Sequence, residues 1–274
     1  MAFEFGSARV FESPDQIAMV SRAFRKQGKP VVLVPLSRGV HAGHRALIRA
    51  ARRIPGAVVI VSLYDATPTD YEALREERVD AVFRYERESL WPKGLRTTVT
   101  LADHGMEDPA ALSAAATQVL TLLHIAGPSD LVLGEKDYEL LVGVQRMVTD
   151  LHVPVTVHSV PTVRMPDGVA ISLRNGQVQP AAREQALVLS AALTAGAYAA
   201  ESGPQAIVDT CVEVLEAAGM KPEYVELRSL GLDEAPEQGD GRLFVAATIG
   251  GVRLIDNVGV PIGVGFKNLE AERG

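Results

Sequence analysis

Two histidines three residues apart, His41 and His44, stand where a helical pattern begins, with Gly43 between them. Imidazole N–H groups there can donate hydrogen bonds to nucleotide phosphates and stabilise charge developing on them. Gly43 lets a backbone approach such a ligand closely. Metal binding is the other chemistry of an HxxH pair, but no neighbouring carboxylate or thiolate completes a ligand set, so the metal is left unknown. Gly134-Glu135-Lys136-Asp137 is the second group: lysine is a point charge for phosphate, and aspartate can hold a ribose hydroxyl or Mg2+. Ser172, Arg174 and Asn175 form the third, a hydroxyl, a guanidinium and an amide suited to a triphosphate. Each group alone also fits a helix cap or a charged surface turn. Their common position, just after a strand or an apolar segment, joins them into one nucleotide-phosphate reading.

The elements that must position them follow from periodicity. Val31–Val34 is a short apolar run ended by Pro35, which suits a strand buried on both faces of a parallel sheet. A loop with Gly39 and Gly43 follows, and Leu47, Ala50, Ala51 and Ile54 then recur at helical spacing. Strand, glycine loop and helix in that order present backbone N–H groups and a positive dipole end to an anion. Helices are expected over Pro14–Gln27, Thr69–Arg78, Ala110–Ile125 and Leu140–Leu151. Strands are expected at Ala57–Leu63, Ala81–Phe83, Leu131–Leu133 and Val153–Val160, with Thr97–Leu101 β-rich after a turn at Trp91–Gly94. This alternation predicts an α/β fold, a mostly parallel doubly wound sheet with ligands outside the carboxyl ends of its strands.

After Pro180 the texture changes. Helices over Ala181–Ala200 and Gln205–Ala218 precede strands at Tyr224–Leu227, Arg242–Thr248 and Val252–Val258, the last two joined by a Gly250-Gly251 hairpin turn. A first domain over 1–179 and a small α+β domain over 180–274 are therefore expected, with Lys267–Gly274 frayed. The 274 residues are 47% hydrophobic and carry a net charge of -7, which gives no support for nucleic-acid binding. No signal peptide or membrane span is visible, and the single cysteine, Cys211, fits a buried thiol in a reducing cytoplasm.

The chain resembles the pantothenate synthetase (pantoate–β-alanine ligase) family of the HIGH-type nucleotidylyltransferase superfamily. The resemblance rests on VPLSRGVHAGHRALIRAAR, WPKGLRTTV, GEKDY, VPTVR with DGVAISLRN, YVELRSLGL and GRLFVAATIGGVRLIDN, and covers nearly the whole chain. It implies a Rossmann-like ATP-binding catalytic domain over 1–179 with the α+β domain over 180–274 as a lid, ATP and Mg2+, an acid and an amine as small-molecule substrates, an acyl-adenylate intermediate, and a homodimer. It also implies that His41 and His44 contact ATP phosphates and that Gly43, Gly134, Lys136 and Asp137 bind the nucleotide. Ser172 and Arg174 are implied to close over the phosphates, with Val163 beside the adenine. The acid side departs from the family. Thr-Met-Gly becomes Leu36-Ser37-Arg38, the VNPxQF segment becomes Tyr64–Pro68, and a glutamine becomes Leu140. Losing buried amide partners costs roughly 1–3 kcal/mol each, so Arg38, Tyr64 and Leu140 are the candidate residues for the acid. Three functions follow: a ligase for pantoate or another acid, a nucleotide binder without ligase activity, and nucleotidyl transfer to a phosphate.

Overall fold

The computed structural model describes residues 3–179 and 182–264. Pro180, Ala181 and Lys267–Gly274, to which expectations attached, lie outside the described residues. The chain divides into two compact units, Met1–Thr162 and Val163–Gly274.

The first unit carries a sheet of β1 (Arg9–Phe11), β2 (Val31–Pro35), β3 (Val58–Leu63), β4 (Ala81–Arg84), β5 (Asp130–Gly134) and β6 (Thr156–Val160). Their order is β1-β4-β3-β2-β5-β6, with every pairing parallel. Alternate residues of each central strand enter two separate cores. Val31, Leu33, Val58 and Ile60 pack with α1 (Pro14–Lys26), α5 (Pro109–Ala126) and α6 (Tyr138–Asp150). Val32, Val34, Val59, Val61 and Leu63 pack on the other face with Ile48 and Ala51 of α2 (Ala42–Arg52) and Leu74 of α3 (Pro68–Glu76). Burial on both faces is why β2 and β3 read as unbroken apolar runs. α4 (Arg87–Leu90) is a single turn after β4. Helix α5 is long and apolar enough to cross a membrane by length and composition. In this unit it is a core helix, with Leu112, Ala116, Val119, Leu122 and Leu123 buried.

The β strand character expected at Thr97–Leu101 is not found; the segment belongs to no sheet. Its backbone donors go to side chains of α5: Val99 N–H to Thr117 Oγ1 at 2.9 Å and Leu101 N–H to Ser113 Oγ at 3.1 Å. Buried hydroxyls on a helix thus replace a neighbouring strand as acceptors.

The second unit packs α7 (Arg183–Tyr198) and α8 (Pro204–Ala217) on an antiparallel sheet of β7 (Tyr224–Ser229), β8 (Gly239–Ile249) and β9 (Val252–Ile262). Gly250 and Gly251 both have positive φ, 56° and 80°, which a tight two-residue hairpin requires. Cys211 is fully buried, and burial pushes its thiol up to about 12, so it is an inert core group. The division falls earlier than the composition change near Pro180 suggested. Residues after Val163 fold onto the second unit: Arg164 pairs with Ala170, and its guanidinium grips Asp256 of β9 at 2.6 and 2.9 Å.

Candidate active site

In the first unit the chain runs from β2 to β3 and β4 on one side and from β5 to β6 on the other. The crevice at the carboxyl ends of β2 and β5 is therefore the topological switch point, where open α/β sheets hold ligands. The Leu36–His41 loop leaves β2 there, and Glu135–Asp137 forms a 3-10 turn directly after β5.

His41 is the N-cap of α2. Its Nδ1 accepts from Gly43 N–H at 3.1 Å, so a neutral His41 carries its proton on Nε2 and offers that N–H outward. His44 differs. Its Nδ1 lies 2.7 Å from the Gly39 carbonyl, which can only accept, so Nδ1 holds the proton and neutral Nε2 is an acceptor. The rings stack with centroids 3.7 Å apart. Burial, then His44, then Lys136 push His41 down to about 4. Burial also lowers His44, opposed by the Gly39 bond and by Asp137 and Asp70. Both imidazoles are thus neutral at pH 7 without an anion, and His44 can donate to phosphate from Nε2 only after taking up a proton.

Lys136 and Asp137 lie near enough to act on the histidine pair, Lys136 on His41 and Asp137 on His44. Gly134 packs against α2: a Cβ there would sit 3.6 Å from Leu47 Cδ2. Asp70 was not singled out by sequence, yet it fixes the loop. Its Oδ1 accepts from Val40 N–H at 2.6 Å, while Oδ2 accepts from the Thr67 backbone and hydroxyl at 2.8 and 2.7 Å. The Thr67-Pro-Thr-Asp70 capping box was the available signal.

Of the acid-side candidates, Arg38 lies 5.6 Å from the Tyr64 ring centroid and 3.9 Å from the Asp65 carboxylate, in an exposed pair. Tyr64 N–H donates to Ser37 O at 3.1 Å, so Arg38 and Tyr64 sit at the ends of adjacent strands. Leu140 is half-buried against the core that also receives Tyr64. Val163, Ser172 and Arg174 belong to the second unit. There Val163 O accepts from Ile171 N–H at 2.8 Å, and Ser172 O and Arg174 O accept from Gly176 and Gln177 in a short turn. Among the described residues no three His, Cys, Asp or Glu side chains gather into a metal cage.

A family model described as Pantoate-beta-alanine ligase matches residues 9–259. Pantothenate synthetase of Corynebacterium jeikeium (strain K411) is 43% identical over 98% of this chain and 95% of its own length. That of Mycobacterium avium (strain 104) is 41% identical over 95% and 92%. The crystal structure of pantothenate synthetase from Thermus thermophilus aligns with a TM-score of 0.81 and 29% identity, over 91% of this chain and 98% of that one. The pantoate-beta-alanine ligase of Francisella tularensis, complexed with beta-gamma ATP and beta-alanine, aligns with a TM-score of 0.71 and 25% identity, over 91% and 97%. With matches of this extent in sequence and fold, the chain belongs to the pantoate-beta-alanine ligase family.

Proposed function

We propose that the chain condenses pantoate with β-alanine at the expense of ATP, releasing AMP and pyrophosphate. The observation that carries this is the convergence of His41, His44, Lys136 and Asp137 at the β2/β5 switch point, in a chain of this family. A pantoate carboxylate oxygen attacks the α-phosphorus of ATP and the bond to pyrophosphate breaks. The β-alanine amine then attacks the acyl carbonyl, loses a proton, and AMP departs. The cationic and N–H donors stabilise charge on the α-phosphoryl oxygens as it passes through five-coordination. His41 Nε2–H is ready as a neutral donor, and Lys136 supplies a fixed charge. His44 contributes as imidazolium, formed when the triphosphate arrives. Gly43 and Gly134 keep the backbone close, and Val163, Ser172 and Arg174 carry nucleotide roles from the family resemblance.

Mg2+ takes oxygen ligands and keeps several waters, binding through one or two carboxylates plus phosphates. Asp137 fits that need, being a carboxylate near enough to act on His44. The ion would neutralise charge on the departing pyrophosphate. We also infer a homodimer from the family resemblance, and a cytoplasmic protein, which the lone buried thiol supports.

Arg38 beside Tyr64 favours a second reading, a ligase for an acid other than pantoate whose extra anionic group pairs with Arg38. A panel of acids assayed for pyrophosphate release with β-alanine separates the two. Turnover with pantoate above all others upholds the first, and its absence with a different acid active upholds the second. His44→Ala and Lys136→Ala are each expected to lower adenylation about 10²–10³-fold, the scale of one preorganised donor. Wild-type rates in either variant remove this site from the mechanism.

A further inference from the structure

The opposite end of α2 carries a second group of cations. Arg49, Arg52 and Arg53 come from the last turn of this helix and its C-cap, Arg45 reaches toward them from its first turn, and Arg78 follows α3. Glu77, only 8% exposed, anchors them: Arg49 donates to it from Nε and Nη2 at 2.8 and 2.6 Å, and Arg45 from Nη1 at 3.2 Å. The other arm of Arg45 reaches Glu76 at 2.8 Å. Arg52 donates to the backbone carbonyl of Arg78. Arg49 and Arg52 are therefore held by acceptors of the fold while most of their five N–H donors remain unspent. The side chains of Arg53 and Arg78 have no hydrogen-bond or ion-pair partner among the described residues.

Arg49, Arg52, Arg53 and Arg78, with Glu76 and Glu77, line a hollow of about 410 Å3. Its two carboxylates are already engaged by Arg45 and Arg49, so the surplus is cationic, in a chain whose net charge is -7. Helix-dipole compensation and ion pairing account for arginines in the last turn of α2. They account for Arg53 at the C-cap as well, but not for Arg78, which lies outside the helix and holds a left-handed φ of 54° where a glycine would be less strained. Guanidinium forks match phosphate oxygens in pairs, and the hollow is of small-ligand size.

We propose that this hollow is a second anion site, taking a small molecule with two or more linked phosphates. It lies roughly 14 Å along the helix axis from His44, at about 1.5 Å per residue, so its ligand is separate from the nucleotide at the α2 N-terminus. The test is calorimetric titration of inorganic tripolyphosphate into the His44→Ala/Lys136→Ala chain, in which the other phosphate site is disabled. Saturable binding is expected, weakened about tenfold or more by adding Arg53→Gln and Arg78→Gln, the loss of one charge-assisted contact being worth that factor. Lysine at both positions restores part of it. The Gln pair in an otherwise unchanged chain leaves basal ligation as it was, which shows that the fold is kept. ATP run in parallel distinguishes a nucleotide from a bare phosphate chain as the ligand. Absent binding, equal binding with and without the Gln pair, or citrate binding as tightly as tripolyphosphate overturns the assignment.

Discussion

His41 and His44 share a motif but not a protonation logic. The Gly43 N–H on one ring and the Gly39 carbonyl on the other force opposite tautomers, so the pair offers one donor and one acceptor while both are neutral. With His41 at about 4 and His44 also lowered, triphosphate binding should draw protons onto this pair. ATP affinity is then expected to rise as pH falls from 7 toward 5. Titrations in buffers of different ionisation enthalpy should show proton uptake, and identical heats corrected to zero uptake would contradict this. For stability the sign is the reverse of that for a salt-bridged histidine. The unfolded chain binds more protons than the folded one between about 4 and 6.5, so stability present above 6.5 is lost as pH falls through that window. Proton resonances of His41 titrating near 6.5 in the ligand-free protein would contradict the burial account. The sequence singled these two residues out as candidate phosphate contacts. Their tautomers were not, because they depend on which backbone group the loop turns toward each ring.

At the scale of elements, the histidine loop is held by α3. Asp70 is 5% exposed and binds Val40 N–H as well as its own capping box. Asp70→Ala leaves three donors without their acceptor and is expected to cost about 2 kcal/mol, in line with roughly 1–3 for an orphaned buried group. Chemical denaturation measures that cost, and KM for ATP should rise with it because the loop loosens. Asp70→Asn keeps one acceptor oxygen and should recover part of both. Periodicity found β2, β3, α2 and α5 because each buries a regular apolar set. It read Thr97–Leu101 as β because Val99 and Leu101 alternate with polar residues as in a half-buried strand. Nothing local shows that Ser113 and Thr117, residues later in the chain, take the place of a partner strand.

At the scale of the molecule, the strand order places the two loops proposed to bind phosphate after adjacent strands β2 and β5, far apart in sequence and paired in space. That juxtaposition was legible from the alternation of strands and helices, because a doubly wound sheet has one such crevice. The division at Thr162 was not, since it depends on Arg164 reaching Asp256 across most of the second unit's length in sequence. Arg164→Ala strands a carboxylate that is 4% exposed and is expected to destabilise the second unit by about 3 kcal/mol, the low end for a broken buried pair. Its thermal or denaturant transition should move accordingly, and an unchanged transition would show the pair to be dispensable. The central claim, that the switch-point residues activate a carboxylate as an adenylate, is tested most directly by pantoate-dependent exchange of labelled pyrophosphate into ATP with β-alanine withheld. The account expects exchange in the wild-type chain and about 10²–10³-fold less in His44→Ala and Lys136→Ala. Exchange that proceeds without any acid, or that is absent with pantoate and every other acid, would contradict it.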